Sequence, residues 1–134
     1  MRENLLYASM LGGIAIAQTG TTAVHAMGYP LTFYDDMEHG KANALLLAEY
    51  LKFVEKKEKI NVNLILTTSG FQTINQLQDM ILSLIKEIPI VPEKALKEYA
   101  MNVVSAKSVT NTNPKPNEND IFTIYKNSLA RKRQ

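Results

Sequence analysis

The sequence predicts an all-α protein: a bundle of about five to seven helices forming a single helical domain over residues 1–134. Two observations carry this. Apolar residues recur at three- and four-residue spacings in successive segments, which Gly, Pro and Asn positions separate. No pair of alternating, strand-like runs is present, and no internal repeat. The length fits one domain. With 46% hydrophobic and 21% charged residues the chain has enough apolar material to build a core.

The elements follow in order. Asn4 to Ala17 (NLLYASMLGGIAIA) is the most apolar stretch, with Leu5, Leu6, Ser9, Gly12, Gly13 and Ile16 at helical spacing. Its many small residues suit a buried helix packed closely on others. A signal peptide is the competing reading, with Ala15-Ile16-Ala17 as a cleavage site. Glu3 offsets Arg2 and weakens the positive start that such a peptide needs. From Gln18 to Gly40 the pattern breaks, punctuated by Gly20, Gly28, Pro30 and Gly40. His25 falls there in a run long enough for one or two helical turns. A helix from about Lys41 to Lys57 presents Ala44, Leu45, Leu47, Ala48, Leu51 and Phe53, and its mixed-charge end (Lys52 to Lys59) reads as solvated. Val62 to Thr68 adds a turn or two, ended by Gly70 as a C-terminal cap. Thr73 and Gln76 form a capping-box pattern that opens a helix to about Glu87, with Leu77, Met80, Ile81, Leu84 and Ile85 on one face. Pro89 and Pro92 stop it. Further helices span about Glu93 to Ala106 and Glu118 to Arg131, the latter carrying Ile121, Ile124, Tyr125 and Leu129. Ser108 to Asn117 between them is polar, holds two prolines, and reads as loop.

Composition excludes several chemistries. There is no cysteine, hence no disulfide, thiolate metal site or cysteine nucleophile. Neither G-x-G-x-x-G nor a P-loop pattern occurs, so a nicotinamide cofactor has no binding motif within these residues. A net charge of +2 gives no reason to expect nucleic acid, and Arg131-Lys132-Arg133 reads as a solvated, dipole-favoured helix end. The apolar run near the start is too short for a membrane span. No nucleic-acid or membrane partner is expected, and the location expected is cytoplasmic.

The two histidines, His25 and His39, lie 14 residues apart in the Gly-interrupted segment, each beside a small residue, Ala26 and Gly40. Small neighbours let backbone approach an ion or ligand, and imidazole suits iron, zinc, copper and nickel. The plainer alternative makes His25 a core histidine and His39 an exposed residue at a helix start. Two ligands do not close a catalytic metal site, which usually takes three protein groups. Asp35, Asp36 and Glu38 lie nearby but read as solvated turn residues.

The run Ala8 to Leu47 resembles the C-terminal helical domain of the iron-containing (group III) alcohol dehydrogenases. It joins the small-residue helix (Gly13, Ile14, Ala15), Gly20, Ala-Val-His-Ala around His25, Pro30-Leu31, His39-Gly40 and the Ala-Asn-Ala-Leu-Leu helix. The likeness extends more loosely to Asn113-Pro114 and the final helix with Asp120, Ile121, Ile124 and Tyr125. The resemblance implies a two-domain enzyme of dehydroquinate-synthase-like fold: an N-terminal domain binds NAD(P), and the helical domain holds a divalent metal, Fe2+ or sometimes Zn2+ or another ion. It further implies one aspartate and three histidines as ligands, the last two matching His25 and His39. The metal then acts as a Lewis acid on the oxygen of an alcohol or aldehyde, with hydride exchanged with the nicotinamide.

Two departures from the family pattern matter. The nucleotide domain and half of the ligands are absent from these residues, so the chain alone is expected not to work as a dehydrogenase. It is read as a fragment or truncated product, with a non-catalytic self-association module derived from such an enzyme as the alternative. Where many members carry a further histidine credited with proton relay, this chain has Tyr29. A phenol, with an ordinary pKa of ~10 against ~6.5 for imidazole, is a poorer relay near neutral pH. Tyr29 is the candidate catalytic position, and a steric role against the cofactor ring competes with relay. The apolar Asn4–Ala17 helix is expected to need a partner, either the missing domain or further copies of the chain as a homo-oligomer.

Overall fold

The structure is a computed structural model describing residues 1–130. It contains α1 (Arg2–Thr19), α2 (Ala23–Tyr34), α3 (His39–Glu55), α4 (Lys59–Thr68), α5 (Ile74–Leu84), α6 (Glu93–Val103), α7 (Lys107–Thr110) and α8 (Glu118–Leu129). No strand occurs among the described residues. The eight helices among the described residues exceed the expected five to seven: α2 runs for twelve residues where the sequence offers one or two turns around His25, and the single turn α7 forms where a loop is expected. The basic tail Arg131-Lys132-Arg133 and the last residue of the expected Glu118–Arg131 helix lie outside the described residues.

Helix α3 is the centre of the core. It packs against α2, α4, α5 and α8, while α6 lies on α8 and on α2. Its buried apolar residues are Ala42, Leu45, Leu46, Ala48, Tyr50, Leu51, Phe53 and Val54, so the stripe is wide. The sequence reading chose Leu47 and Ala44 rather than Leu46 and Ala42. The structure leaves the first two only partly buried, because helices on several sides rotate the buried arc. A polar knot ties the same helix to two neighbours. Lys52 Nζ lies 2.7 Å from buried Glu49, Gln78 Nε2 of α5 donates to Glu49 Oε1 at 3.4 Å, and Asn127 Nδ2 of α8 donates to Oε2 at 3.4 Å. Burial pushes the Glu49 carboxyl up, but Lys52 and the two amides outweigh it and hold the group below the usual glutamate value.

Local chemistry explains the helix ends. At Gly70 (φ 79°) the amide N–H donates to Thr67 O, and Phe71 N–H donates to Leu66 O at 2.9 Å, a Schellman motif that satisfies the last carbonyls of α4. Thr73 Oγ1 accepts from Gln76 N at 3.2 Å as expected, whereas Gln76 Oε1 accepts from Gln72 N rather than from Thr73. Helix α8 opens on a full capping box that the sequence reading missed: Asn117 Oδ1 accepts from Asp120 N, and Asp120 Oδ2 accepts from Asn117 N.

Helix α2 has little local support. Pro30 lies inside it, and Thr22 makes no side-chain cap. Its groups are satisfied from far along the chain instead. Ala23 N donates to Thr112 Oγ1 at 2.9 Å, Tyr125 Oη donates to Met27 O at 2.6 Å, and Tyr99 Oη donates to Asp35 Oδ2 at 3.1 Å. Tyr125 is wholly buried.

The expectation of a buried first helix is corrected. No residue of α1 is buried; Leu6 is 75% exposed, Leu5 62% and Ile14 54%. Its apolar residues circle the helix rather than forming one stripe, so no single face exists for the bundle to cover. No helix among the described residues is long and apolar enough to cross a membrane.

The tyrosine anchors yield a stability prediction. Burial, then the charge of Asp35 and its hydrogen bond, push Tyr99 up to about 12; burial, then Tyr99 and Asp35, also raise Tyr125. A phenol with a raised folded-state pKa gives stability that is full below its ordinary value of ~10 and lost as pH rises through the folded value. Thermal melts should therefore fall steeply above pH ~10. Tyr125→Phe should cost about 1–3 kcal/mol at neutral pH by orphaning Met27 O, and should flatten the alkaline decline.

Candidate functional site

The turn between α2 and α3 brings the two histidines together. Tyr34 ends α2, Asp36 adopts a left-handed conformation (φ 52°), buried Met37 donates its N–H to Leu31 O, and His39 begins α3. Aspartate tolerates that conformation better than most residues. The reversal lays the start of α3 alongside α2, and His25 Nδ1 comes 3.2 Å from His39 Nε2. The rings are tilted, with centroids 5.2 Å apart. Both side chains are half-buried, so neither is the fully enclosed core histidine nor the exposed helix-start residue of the plainer reading.

Tyr29, one turn after His25 on α2, stacks on the His39 ring, with centroids 4.9 Å apart and planes 16° apart. It remains 56% exposed. All three sequence-selected residues thus share one cluster. Burial, and secondarily His39, hold the His25 imidazole below its ordinary pKa, which favours the neutral ring that can donate a lone pair. The acidic residues of the turn do not join them: Asp35 is engaged by Tyr99, and Glu38 pairs with Lys41. Among the described residues, no group of three or more histidine, cysteine, aspartate or glutamate side chains gathers as a metal set.

Three residues that the sequence reading did not select complete the cluster. Asn43, one turn after His39, places Nδ2 3.0 Å from His39 Nε2 and 3.4 Å from His25 Nδ1. Its buried Oδ1 has no partner. Thr32 Oγ1 lies 3.4 Å from His39 Nδ1, on the other side of the ring. Gly28 makes room: a Cβ there would fall 2.0 Å from Asn43 Oδ1 and 3.1 Å from its Cγ. The small residue that matters is therefore Gly28 and not Gly40, where a Cβ would meet nothing within 4 Å. The i, i+4 spacing of His39 and Asn43 was visible in the sequence, but nothing there showed that Asn43 faces α2.

A groove of about 350 Å³ lies on the α6 side of α2, lined by Tyr29, Pro30, Phe33, Tyr34, Tyr99 and Val103 among others. Tyr29 stands between this groove and the histidines. A larger depression of about 800 Å³, beside the 86–91 segment and α8, contains none of the cluster residues.

An all-helical module with an imidazole pair clasped at a helix–helix turn is the class of protein that this fold and cluster define. The family model for the C-terminal part of the Fe-containing alcohol dehydrogenases matches residues 1–129. Alcohol dehydrogenase 4 of Schizosaccharomyces pombe is 30% identical over 96% of this chain and 33% of its own length. The 4-hydroxybutyrate dehydrogenase of Clostridium kluyveri is 32% identical over 74% of this chain and 27% of its own length. The crystal structure of an iron-containing alcohol dehydrogenase from Thermotoga maritima superimposes with a TM-score of 0.86 at 29% identity, covering 97% of this chain and 35% of that one. This chain belongs to the iron-containing alcohol dehydrogenase family and corresponds to its C-terminal helical domain. It spans about a third of the length of these relatives.

The packing of Asn43 over Gly28 predicts a paired effect. Gly28→Ala should cost about 1–3 kcal/mol in denaturant unfolding, as overpacking does. In an Asn43→Ala background the same change should cost much less, since the colliding amide is gone.

Proposed function

We propose that this chain is the metal-holding helical part of an iron-type alcohol dehydrogenase and that His25 and His39 are two of the ligands. The observation that carries the reading is the 3.2 Å approach of His25 Nδ1 and His39 Nε2. That is the spacing of neighbouring donors on one ion with metal–nitrogen bonds of ~2.0–2.1 Å. The partnerless buried Asn43 Oδ1 beside them also favours a cluster built around a polar group. Fe2+ is the ion the family name suggests, and Zn2+ and other divalent ions suit the same imidazoles. When bound, the ion supplies Lewis-acid polarisation of an alcohol or aldehyde oxygen during hydride exchange with NAD(P).

This chain's own residues would do the following. His25 and His39 bind as neutral imidazoles. Tyr29, stacked on His39, keeps that ring from turning and walls one side of the site. The remaining ligands and the nicotinamide come from the rest of the enzyme. A purified chain is thus expected to hold Fe2+ or Co2+ weakly and to show no alcohol oxidation alone. Adding the nucleotide domain of a relative should restore both tight metal and turnover, and His25→Ala with His39→Ala should abolish the rescue. Restored turnover in that double variant would sink the assignment.

The exposure of α1 favours a second reading beside the first. Leu5, Leu6, Tyr7, Met10, Leu11 and Ile14 all face solvent, an apolar surface of the kind that marks an interface. A homo-oligomeric, non-catalytic module in the cytoplasm, derived from such an enzyme, would bury it between copies. Light scattering should then show concentration-dependent self-association, reversed by Leu6→Glu with Ile14→Lys. A clean monomer of unchanged helix content at high concentration would exclude this second reading.

A further inference from the structure

The ring of His39 is held at both of its nitrogens. On one side, the Thr32 hydroxyl donates to the Gly28 carbonyl at 3.0 Å. That commits its only hydrogen, so towards His39 Nδ1, 3.4 Å away, Thr32 Oγ1 offers a lone pair. On the other side, Asn43 Nδ2, a group that only donates, stands 3.0 Å from His39 Nε2. An acceptor facing Nδ1 and a donor facing Nε2 are compatible with one neutral tautomer: the proton on Nδ1 and a bare lone pair on Nε2. The reverse tautomer would set two donors against each other at Nε2 and two lone pairs at Nδ1.

The packing keeps these partners in place. Gly28 supplies both the carbonyl that fixes the Thr32 hydroxyl and, by lacking a Cβ, the space that seats the Asn43 amide. Thr32 sits one turn after Gly28 on α2, and Asn43 one turn after His39 on α3. The unprotonated Nε2, within reach of the Asn43 amide, also lies 3.2 Å from His25 Nδ1.

We propose that Thr32 and Asn43 are positioning residues that lock His39 in the Nδ1–H tautomer, leaving Nε2 unprotonated beside His25, where a divalent ion would take the place of the Asn43 N–H at its lone pair. The use of that lone pair rests on the metal reading above; the tautomer does not. Metal-bound histidines generally depend on such a partner at the nitrogen away from the ion. Here the partner is a threonine hydroxyl one helical turn from the residue that makes room for the amide.

The test is a long-range proton–nitrogen correlation spectrum of the isotope-labelled full chain without metal, at a pH about two units above the ordinary imidazole value of ~6.5. His39 should show one tautomer, with a protonated Nδ1 and a bare Nε2. Thr32→Val should turn this into a mixture, and Thr32→Ser should restore it. Asn43→Asp places an acceptor at Nε2 and should reverse the tautomer. The amide spectrum of each variant reports whether it folds; should Thr32→Val not fold, Asn43→Asp carries the same decision. A protonated Nε2 in the unsubstituted chain, or a tautomer unmoved by Thr32→Val and Asn43→Asp, overturns the proposal. A parallel Co2+ titration separates the two readings: Thr32→Val should weaken binding by about 10–100-fold, and Thr32→Ser should not. Complete failure to bind Co2+, with or without an added nucleotide domain, alongside the expected tautomers would remove the metal reading and leave the tautomer lock standing.

Discussion

The site depends on holding α2 against α3, and α2 is a helix that cannot hold itself. It contains Pro30, which supplies no N–H to Ala26 O, and the side-chain oxygen of its N-cap Thr22 accepts no backbone N–H. What fixes it are hydrogen bonds with Thr112, which accepts, and with Tyr99 and Tyr125, which donate, residues 64 to 98 positions away in the chain. The Tyr125 bond is the deepest of these. Its phenol crosses the core from α8 to a backbone carbonyl of α2, where water is excluded and an unmade bond is costly. Because His25, Gly28, Tyr29 and Thr32 all ride on α2, the C-terminal helix sets the geometry of a cluster near the start of the chain.

Within the cluster, polar groups are matched at short range in a half-buried setting. The hydroxyl of Thr32, the amide of Asn43 and the two imidazoles approach one another at 3.0–3.4 Å, and Tyr29 stacks on the His39 ring. The lowered His25 pKa belongs to the same design, since burial and a neighbouring imidazole both disfavour its cation. Neutral, oriented imidazoles are what a divalent ion requires. As the metal site we propose, the cluster would bring two histidines where a closed site takes three or more protein groups.

Incompleteness at the cluster and exposure of α1 belong together. A helix that is apolar all round, rich in Gly and Ala, is built for contacts on several sides. The bundle makes none that bury it, although the fold follows the Thermotoga maritima enzyme over nearly the whole chain. The relatives are about three times as long. Both features fit a domain shaped to work against a larger body, and both leave apolar or ligand surface open when that body is not beside it.

Legible in the sequence were the helical class, the positions of the strongest helices, the Gly70 and Thr73 caps, and His25, His39 and Tyr29 as candidates, which the fold brings into one cluster. Each of these is written in neighbours a few residues apart: apolar spacing, a left-handed glycine, a threonine three before a glutamine, a motif of fixed spacing. The rest emerged when the helices packed together. Of helix α2 only one or two turns around His25 were legible; its full length was not, because its stabilising partners are remote and neither Pro30 nor Gly28 advertises a helix. The exposure of α1 was not legible either, since an apolar run specifies a need for burial without specifying what provides it. Gly28, Thr32 and Asn43 were invisible as site residues because a glycine, a threonine and an asparagine acquire meaning only when two helices meet. There the missing Cβ of the first admits the amide of the third, and a hydroxyl and a carboxamide come to face opposite nitrogens of one imidazole.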